Sequence, residues 1–386
     1  MVICTIAAAN HVPRSISLSR SLGKTQPLHP VVLCLVERNR SVVQNFQNSF
    51  ARVVLASELG IPNFSSFIFQ YNRYEACCAM KASLLLWAMR NFPAEQDFVF
   101  LDSDVVAYSR FHELESLLRS AEIVVRPHFL EYDTSGDHPR YGVFDALIAG
   151  AFDSSFLALR RSAQVMEFLS WWSRKLEHWC CLEPWRGLYV DRKWLLLGIS
   201  FFNMTVLREP GYCLASSSFS VRHVERSERA GYLVDGRPLR FFHFSGVESG
   251  ADMQFYKDLR ADNPIFGMRE AYLRDVRSAD GSGASATEWS YDCFLSGQRI
   301  PYEVRSLFRA NPNLSYVFPE PFQGSSDAFF AAAARPHSRS RKTQLAAYLK
   351  SQLERCRASN VSPNSPESRL VRYVEERLAR WNVAPQ

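Results

Sequence analysis

The sequence predicts an α/β protein: a mixed, mostly parallel β-sheet sandwiched by helices, with a helical C-terminal extension. Three observations support this fold class. Apolar runs alternate with helical patterns through residue 128, which is typical of parallel strands joined by crossover helices. These runs are apolar throughout, as expected for strands that are buried on both faces. Beyond about residue 250 the pattern becomes helical and less regular.

The predicted strands share a short apolar run between turn residues. They lie at VICTIAAA (2–9), HPVVLCLVE (29–37), within ARVVLASELG (51–60), at DFVFLDSDV (97–105), EIVVRPH (122–128), the start of GAFDSSFLALRRS (150–162) and LRFFHFSG (239–246). The predicted helices share apolar residues at a spacing of three to four. The first begins near Pro13, because proline suits a first helical turn. The others lie at 74–92, 111–121 and 163–179.

Shifts in composition divide the chain into three predicted parts. Residues 1–250 carry the alternating strands and helices and form the main domain. Residues 251–334 form an extension that packs on this domain, because its apolar stripes need burial. Within it, SADGSGASAT (278–287) has the composition of a flexible linker. Residues 335–386 form a basic, serine-rich linker and an amphipathic helix at 365–381.

Charge and hydropathy exclude several classes of protein. The net charge of +6 comes without a dense block of lysine and arginine, so we expect no nucleic-acid partner. No apolar run reaches the roughly 20 residues that span a bilayer. The first residues lack the basic region of a signal peptide. The sequence therefore predicts a cytoplasmic protein.

The nine cysteines include no CxxC pair. Reduced thiols are the simplest interpretation, as in other cytosolic proteins. A metal cluster of His178, Cys180 and Cys181 is an alternative, but simple packing of these residues is favoured over it.

Two aspartates, Asp102 and Asp104, end the predicted strand FVFL. Alternate residues of a strand point to the same side, so the two carboxylates are expected to converge. They would lie at the carboxyl edge of the sheet, where open α/β sheets bind ligands. Two close carboxylates repel unless a cation lies between them, and oxygen ligands favour Mg²⁺ or Mn²⁺. A solvated acidic turn is the alternative for this motif alone.

The combination of this motif with FFHFSG (241–246) and CTIAAANHVPRSISLSRSL (4–22) resembles the GT-A-fold glycosyltransferases. The resemblance is to the bacterial, glycogenin-like (family 8-like) branch and covers roughly residues 3–250. It implies a GT-A-type, Rossmann-like sheet. It also implies that Asp102 and Asp104 hold Mn²⁺ or Mg²⁺ against the donor diphosphate, with His243 as the third metal ligand.

The same resemblance implies further donor-binding residues. Asn10 and His11 occupy the loop that contacts the nucleotide in this family, although a plain turn explains them equally well. Lys81 matches a basic residue that faces the donor; a surface lysine is the alternative. Asp153 stands where the family has an asparagine in the sugar pocket, so it either binds sugar hydroxyls or caps the following helix. Asp191 is the candidate catalytic carboxylate.

Asp191 could act as a general base in an inverting reaction or stabilise the sugar in a retaining one. Its alternative role is a salt bridge with Arg192 or Lys193 at the start of a helix. The sequence leaves the stereochemical course open. The tryptophans Trp171, Trp172 and Trp194 are interpreted as core aromatics rather than sugar platforms.

The resemblance implies a metal-dependent hexosyltransferase that uses a nucleotide sugar, with a UDP-sugar favoured, and a glycan or lipid-linked acceptor. The C-terminal helix offers a possible peripheral contact with the membrane. Two other functions compete with this one. A sugar-phosphate nucleotidyltransferase is disfavoured because AAANHVPRS (7–15) contains no glycine. A non-catalytic glycan- or partner-binding relative is kept open by the altered FDSS segment (152–155).

Overall fold

The structure, a computed structural model, describes residues 1–41, 48–131, 143–217, 222–229, 231–257, 259–281 and 283–334. The predicted linker and helix within residues 335–386 lie outside the described residues. No helix of the described residues combines the length and apolar character needed to cross a bilayer.

The predicted fold class is confirmed: a seven-stranded, mostly parallel sheet forms the centre of the molecule. The strands of the described chain are β1 (Val2–Ala7), β2 (Val31–Leu35), β3 (Arg52–Leu55), β4 (Asp97–Leu101), β5 (Val105–Ala107), β6 (Ile123–Pro127), β7 (Phe152–Arg160), β8 (Leu182–Glu183), β9 (Leu188–Tyr189), β10 (Met204–Val206), β11 (Leu214–Ala215), β12 (Val224–Ser227), β13 (Gly231–Val234), β14 (Arg237–Pro238) and β15 (Phe241–His243). The central sheet has the order β10-β6-β7-β4-β1-β2-β3, and β7 runs antiparallel to both of its neighbours.

Helices cover both faces of this sheet. They are α1 (Val12–Thr25), α2 (Phe64–Phe69), α3 (Arg73–Ala79), α4 (Lys81–Asn91), α5 (His112–Leu117), α6 (Val143–Ala149), α7 (Ala163–Trp179), α8 (Arg192–Gly198), α9 (Pro264–Ala279), α10 (Tyr302–Ala310), α11 (Asn313–Val317) and α12 (Ser326–Ala334). Successive residues of β1 enter different cores, because side chains alternate along a strand. Cys4 joins the core under α4 and α7, and Ile3 joins the core under α1 and α5.

Two predicted elements are interrupted in the structure. The helix expected at 74–92 is divided at Met80 into α3 and α4. The strand expected at 97–105 ends at Leu101, and the chain turns before it continues as β5. The turn is closed by the Val105 N–H, which donates to the Asp102 carbonyl over 3.1 Å. As a result β5 leaves the central sheet and pairs with β15 in a separate three-stranded sheet.

Residues beyond 288 contact the first part of the chain through buried polar groups and aromatic rings. The Arg305 guanidinium donates to the carbonyls of Phe69 and Tyr71 at 3.0 and 2.8 Å. Trp289 Nε1 donates to the Val36 carbonyl at 2.8 Å. The segment 278–287, predicted as a flexible linker, instead contributes the buried residue Ala284 to the core beside α1. The predicted boundary between residues 250 and 251 stays a prediction.

Candidate active site

The two aspartates converge through a turn rather than through strand alternation. Leu101 is the last residue of β4, and the Asp102 N–H donates to the Ser155 carbonyl of β7 at 2.9 Å. Asp104 directly precedes β5. The expectation of convergence is met, but its stated cause was wrong, because the strand ends before either aspartate.

His243 reaches these carboxylates because β15 pairs antiparallel with β5, which sets His243 opposite Val105. The Phe244 N–H also donates to the Asp104 carbonyl at 2.9 Å. His243 Nε2 then lies 3.2 Å from Asp104 Oδ1. One ligand atom from each of Asp102, Asp104 and His243 lies within 4.8 Å of the other two. The three predicted metal ligands therefore lie together.

The residues present fit a divalent cation. Ligands on opposite sides of a Mg²⁺ or Ca²⁺ ion lie about 4 to 5 Å apart, and the ligand atoms of this group, all within 4.8 Å of one another, are close enough to share one ion. Two carboxylates and an imidazole form a mixed oxygen and nitrogen donor set that Mn²⁺ tolerates. The side chains of Asp102 and Asp104 are 29% and 15% exposed, so a ligand can approach them from solvent.

The charges around His243 show why this group can accept a cation. Burial lowers the pKa of His243, but the Asp104 and Asp153 carboxylates outweigh it and raise the pKa to about 10. Burial raises the pKa of Asp104, yet the His243 charge and hydrogen bond hold it below its ordinary value. Burial also raises the pKa of Asp102. The Lys81 charge opposes this increase, and the Asp104 charge adds to it. Without metal, an imidazolium thus supplies the positive charge between the carboxylates.

Lys81 is a buried bridge between two candidate site residues. It begins α4 and is only 4% exposed, so the alternative of a surface lysine is wrong. Its Nζ donates to the Ser154 carbonyl at 2.9 Å. The same ammonium lies 3.4 Å from Asp102 Oδ1 and 3.1 Å from Asp191 Oδ2. Although burial opposes it, these carboxylates raise the pKa of Lys81.

Asp191 lies at the N-terminal end of α8 and is fully buried. Its partner is Lys81, whereas the predicted partner Lys193 donates to the Leu147 carbonyl instead. The Lys81 ammonium lies within ion-pair distance of Asp191, and apart from Lys81 no described residue donates a hydrogen bond to either Asp191 oxygen. Because buried carboxylates normally accept hydrogen bonds, Asp191 retains the capacity to bind a substrate hydroxyl.

Asp153 occupies the interior of the site. It is the second residue of β7 and 2% exposed, so it does not cap the following helix, whose cap is Ser162. One carboxylate oxygen accepts from Arg126 and lies 3.3 Å from His243 Nδ1. The other accepts the Ser155 N–H at 2.9 Å. Burial raises the pKa of Asp153, but Arg126 and His243 together hold it well below its ordinary value.

The loop after β1 lies beside the metal-ligand group. Asn10 and His11 form a short 3₁₀ turn that leads into α1, and Asn10 Oδ1 is buried without a hydrogen-bond donor among the described residues. Burial and the Arg14 charge lower the pKa of His11 to about 4, although Asp104 opposes them. Their predicted contact with the nucleotide stays a prediction.

Sequence reasoning missed two arginines at this site, Arg14 and Arg126, and named Arg192 only as a possible partner of Asp191. Arg126 ends the apolar run of β6, where a charged residue is the available signal, and it is 1% exposed. Arg14 lies in the first turn of α1 and binds Glu248 with two nitrogens. The carboxylates of Asp153, Asp191 and Asp102 contribute to raising the pKa of Arg192 despite its burial. Arg14 and Arg126 pair with residues distant in sequence, which residue patterns do not reveal.

The alternative cluster of His178, Cys180 and Cys181 does not form a metal site within the described part of the chain. Asp102, Asp104 and His243 are the group of possible ligands that converges there. Both cysteines are buried and unbridged, as the packing interpretation predicts.

No family model matches the chain. Two uncharacterized proteins of Bacillus subtilis (strain 168) are similar to it in sequence. YfnF is 22% identical over 273 residues, which are 68% of this chain and 88% of YfnF. YfnD is 20% identical over 256 residues, which are 65% of this chain and 79% of YfnD.

Solved glycosyltransferases are similar to the chain in overall fold. The galactosyltransferase LgtC, in complex with donor and acceptor sugar analogs, is 14% identical with a TM-score of 0.42, covering 72% of this chain and 96% of LgtC. Mouse xyloside xylosyltransferase 1, in its apo form, is 14% identical with a TM-score of 0.37, covering 64% of this chain and 98% of the mouse chain.

Proposed function

We propose that the protein is a metal-dependent glycosyltransferase that moves a sugar, most simply a hexose, from a nucleotide sugar to a hydroxyl of an acceptor glycan. The observation that carries the proposal is the convergence of Asp102, Asp104 and His243 at the edge of the sheet. An oxygen-rich divalent-cation site open to solvent is suited to binding a substrate diphosphate. The resemblance of the motifs around these residues to the GT-A glycosyltransferases supports the same function.

Within this proposal Asp102, Asp104 and His243 would hold Mn²⁺ or Mg²⁺. When bound, the cation would stabilise negative charge on the departing diphosphate. Asn10 and His11 would contact the nucleotide, which the interaction of His11 with Asp104 supports. Arg14 is a second nearby cation for phosphate oxygens, and its guanidinium can bind two of them at once.

Asp191 is the proposed carboxylate at the sugar. It is linked to the candidate metal ligand Asp102 through the Lys81 ammonium, and apart from Lys81 no described residue donates a hydrogen bond to its oxygens. Lys81 contacts both carboxylates and offsets part of their charge, which would fix Asp191 relative to the diphosphate site. A UDP-sugar donor, a glycan or lipid-linked acceptor and action in the cytoplasm at the membrane surface belong to the proposal through the sequence resemblance.

The test is a screen of UDP-, GDP- and ADP-sugars with Mn²⁺, with Mg²⁺ or with a chelator. Thermal shift would report binding, because a ligand that binds the native state raises the melting temperature. Chromatography would report release of nucleoside diphosphate. We expect one donor class to bind and release its diphosphate with metal only, and Asp104→Asn to lose both signals. Asp262→Asn, at an exposed ion pair with Arg260, is the matched control that should retain them.

Other outcomes would contradict the proposal. Binding of a nucleotide sugar without turnover under any acceptor condition would favour a non-catalytic relative. Release of pyrophosphate from a nucleoside triphosphate and a sugar phosphate would favour a nucleotidyltransferase. No binding of any donor with either metal would remove the nucleotide-sugar site altogether.

A further inference from the structure

A buried chain of charged residues lies behind the metal-ligand group. Asp153 on β7 stands between His243 on β15 and Arg126 on β6, and all three side chains are at least nine-tenths buried. Arg126 Nη2 donates to Asp153 Oδ2, and that oxygen also lies 3.3 Å from His243 Nδ1. These three charged side chains therefore link three separate strands through the Asp153 carboxylate.

The two nitrogens of the His243 ring face two different carboxylates. Nε2 lies 3.2 Å from Asp104 Oδ1, on the side of the metal ligands. Nδ1 lies 3.3 Å from Asp153 Oδ2, on the interior side. A neutral imidazole carries its proton on one nitrogen and offers the other as a ligand. A proton held on Nδ1 by Asp153 leaves the Nε2 lone pair for a cation.

Asp153 is itself held from several directions. Its other oxygen accepts the Ser155 N–H at 2.9 Å. Arg126 is fixed in turn, because its Nη1 donates to the Tyr212 carbonyl at 2.7 Å and its guanidinium lies over the Phe241 ring, 5.2 Å from the centroid. Both Asp153 oxygens are engaged and the residue is 2% exposed, which leaves little access for a sugar hydroxyl.

We propose that Asp153 is a positioning residue for the metal site: it orients the His243 ring and holds the proton on Nδ1, while Arg126 supplies its counter-charge. The inference rests on the metal site of the proposed function. It replaces the sugar-binding role that the sequence assigns to Asp153. Asp153 is paired with Arg126 and is not part of the convergent group of Asp102, Asp104 and His243, so it would serve the metal through His243 rather than as a fourth ligand.

The test uses Mn²⁺ as the probe in the full chain. Continuous-wave electron paramagnetic resonance would give the Mn²⁺ dissociation constant, and electron spin echo modulation would detect an imidazole nitrogen bound to the ion. His243→Ala identifies that nitrogen in the native protein. Residues behind a metal ligand typically contribute about 10- to 100-fold to metal affinity. We expect Asp153→Ala to weaken Mn²⁺ binding by about this factor and to lose or reduce the nitrogen modulation.

Asp153→Asn separates positioning from folding. Its side-chain carbonyl can still accept from Nδ1–H, so the nitrogen modulation should persist with a smaller loss of affinity. Asp153→Asn alone leaves the Arg126 guanidinium without its counter-charge. The double variant with Arg126→Gln removes this unpaired charge. Asp252→Asn is the matched control, because Asp252 is also fully buried and paired with an arginine, Arg269, at 2.7 Å. It should leave both the Mn²⁺ affinity and the modulation unchanged.

Two results would overturn the inference, and they differ from each other. Native protein with a nitrogen-coupled Mn²⁺, together with an Asp153→Ala variant that keeps both the affinity and the coupling, refutes the role of Asp153 alone. Native protein that binds no Mn²⁺ in the presence or absence of UDP refutes the metal site, and with it this inference.

Discussion

Replacing Lys81 by methionine removes the one ammonium that lies between Asp102 and Asp191 among the described residues. Methionine preserves much of the volume and the unbranched shape of the side chain, so packing changes little. The substitution leaves Asp191, fully buried, and Asp102, 29% exposed, without their shared cation. The Ser154 carbonyl also loses its donor.

The expected loss of unfolding free energy is large, because the substitution removes only the Lys81 side of the buried ion pair. Removing one partner of a buried ion pair costs about 3 to 5 kcal/mol. For a domain of this size each kcal/mol shifts the melting temperature by about 2 °C, so we expect a decrease of about 6 to 10 °C near neutral pH. Lys24→Met is the matched control, since Lys24 is an exposed lysine, and it should change the melting temperature by less than about 1 °C.

The dependence of this loss on pH identifies its cause. Lys81 opposes the rise that burial gives to the pKa of Asp102, so the folded-state pKa of Asp102 is higher still in the variant. A folded pKa above the unfolded value destabilises the protein as pH rises through that range. Melting curves of parent and variant should therefore approach each other on acidification. A deficit equal to that of Lys24→Met, or one that stays constant between about pH 8 and pH 5, would refute the buried ion-pair argument.

Three further predictions concern His243, Glu248 and Arg305. The folded-state pKa of His243 is raised from 6.5 to about 10. The metal-free protein should therefore lose up to about 5 kcal/mol of unfolding free energy as pH rises through that interval. Urea titrations of parent and His243→Asn would show this loss, and an unchanged dependence of the unfolding free energy on pH in the variant would contradict it. Glu248→Gln frees the Arg14 guanidinium from its two-nitrogen contact with the Glu248 carboxylate. Binding of UDP with Mn²⁺, measured by calorimetry, should become up to about fivefold tighter. Unchanged or weaker binding would exclude Arg14 from the phosphate site. Arg305→Met removes donors to three buried carbonyls and should lower the unfolding free energy by about 3 to 5 kcal/mol. Arg274→Met, at an exposed ion pair, is the control and should have little effect. Equal effects of the two substitutions would show that Arg305 does not stabilise the fold.

The central sheet could be predicted because its strands are short apolar runs with helices between them. The runs at β1, β2 and β4 need no partner information to be recognised. The antiparallel direction of β7 could not be predicted in the same way, because an apolar run has the same pattern in either direction. The break between β4 and β5 was also hidden, since VV (105–106) continues the apolar pattern after the aspartates.

The candidate metal ligands were named from the sequence, while the contacts that hold them were not predicted. Asp102 and Asp104 are close in sequence, and the aromatic strand around His243 is a distinctive local pattern. Their meeting depends on the pairing of β5 with β15. The family resemblance implied that His243 joins the aspartates, but it did not predict this pairing. The links through Lys81 and Arg126 join side chains 21 to 110 residues apart. Such contacts depend on the packed fold and leave no periodic signal along the chain.

The most direct measurement of the central claim is anomalous diffraction from crystals grown with Mn²⁺ and UDP. The account predicts one manganese peak bound by Asp102, Asp104 and His243 Nε2 at about 2 to 2.5 Å, with diphosphate oxygens completing its coordination. A manganese peak that involves none of these three residues, in crystals where UDP is bound, would contradict the account.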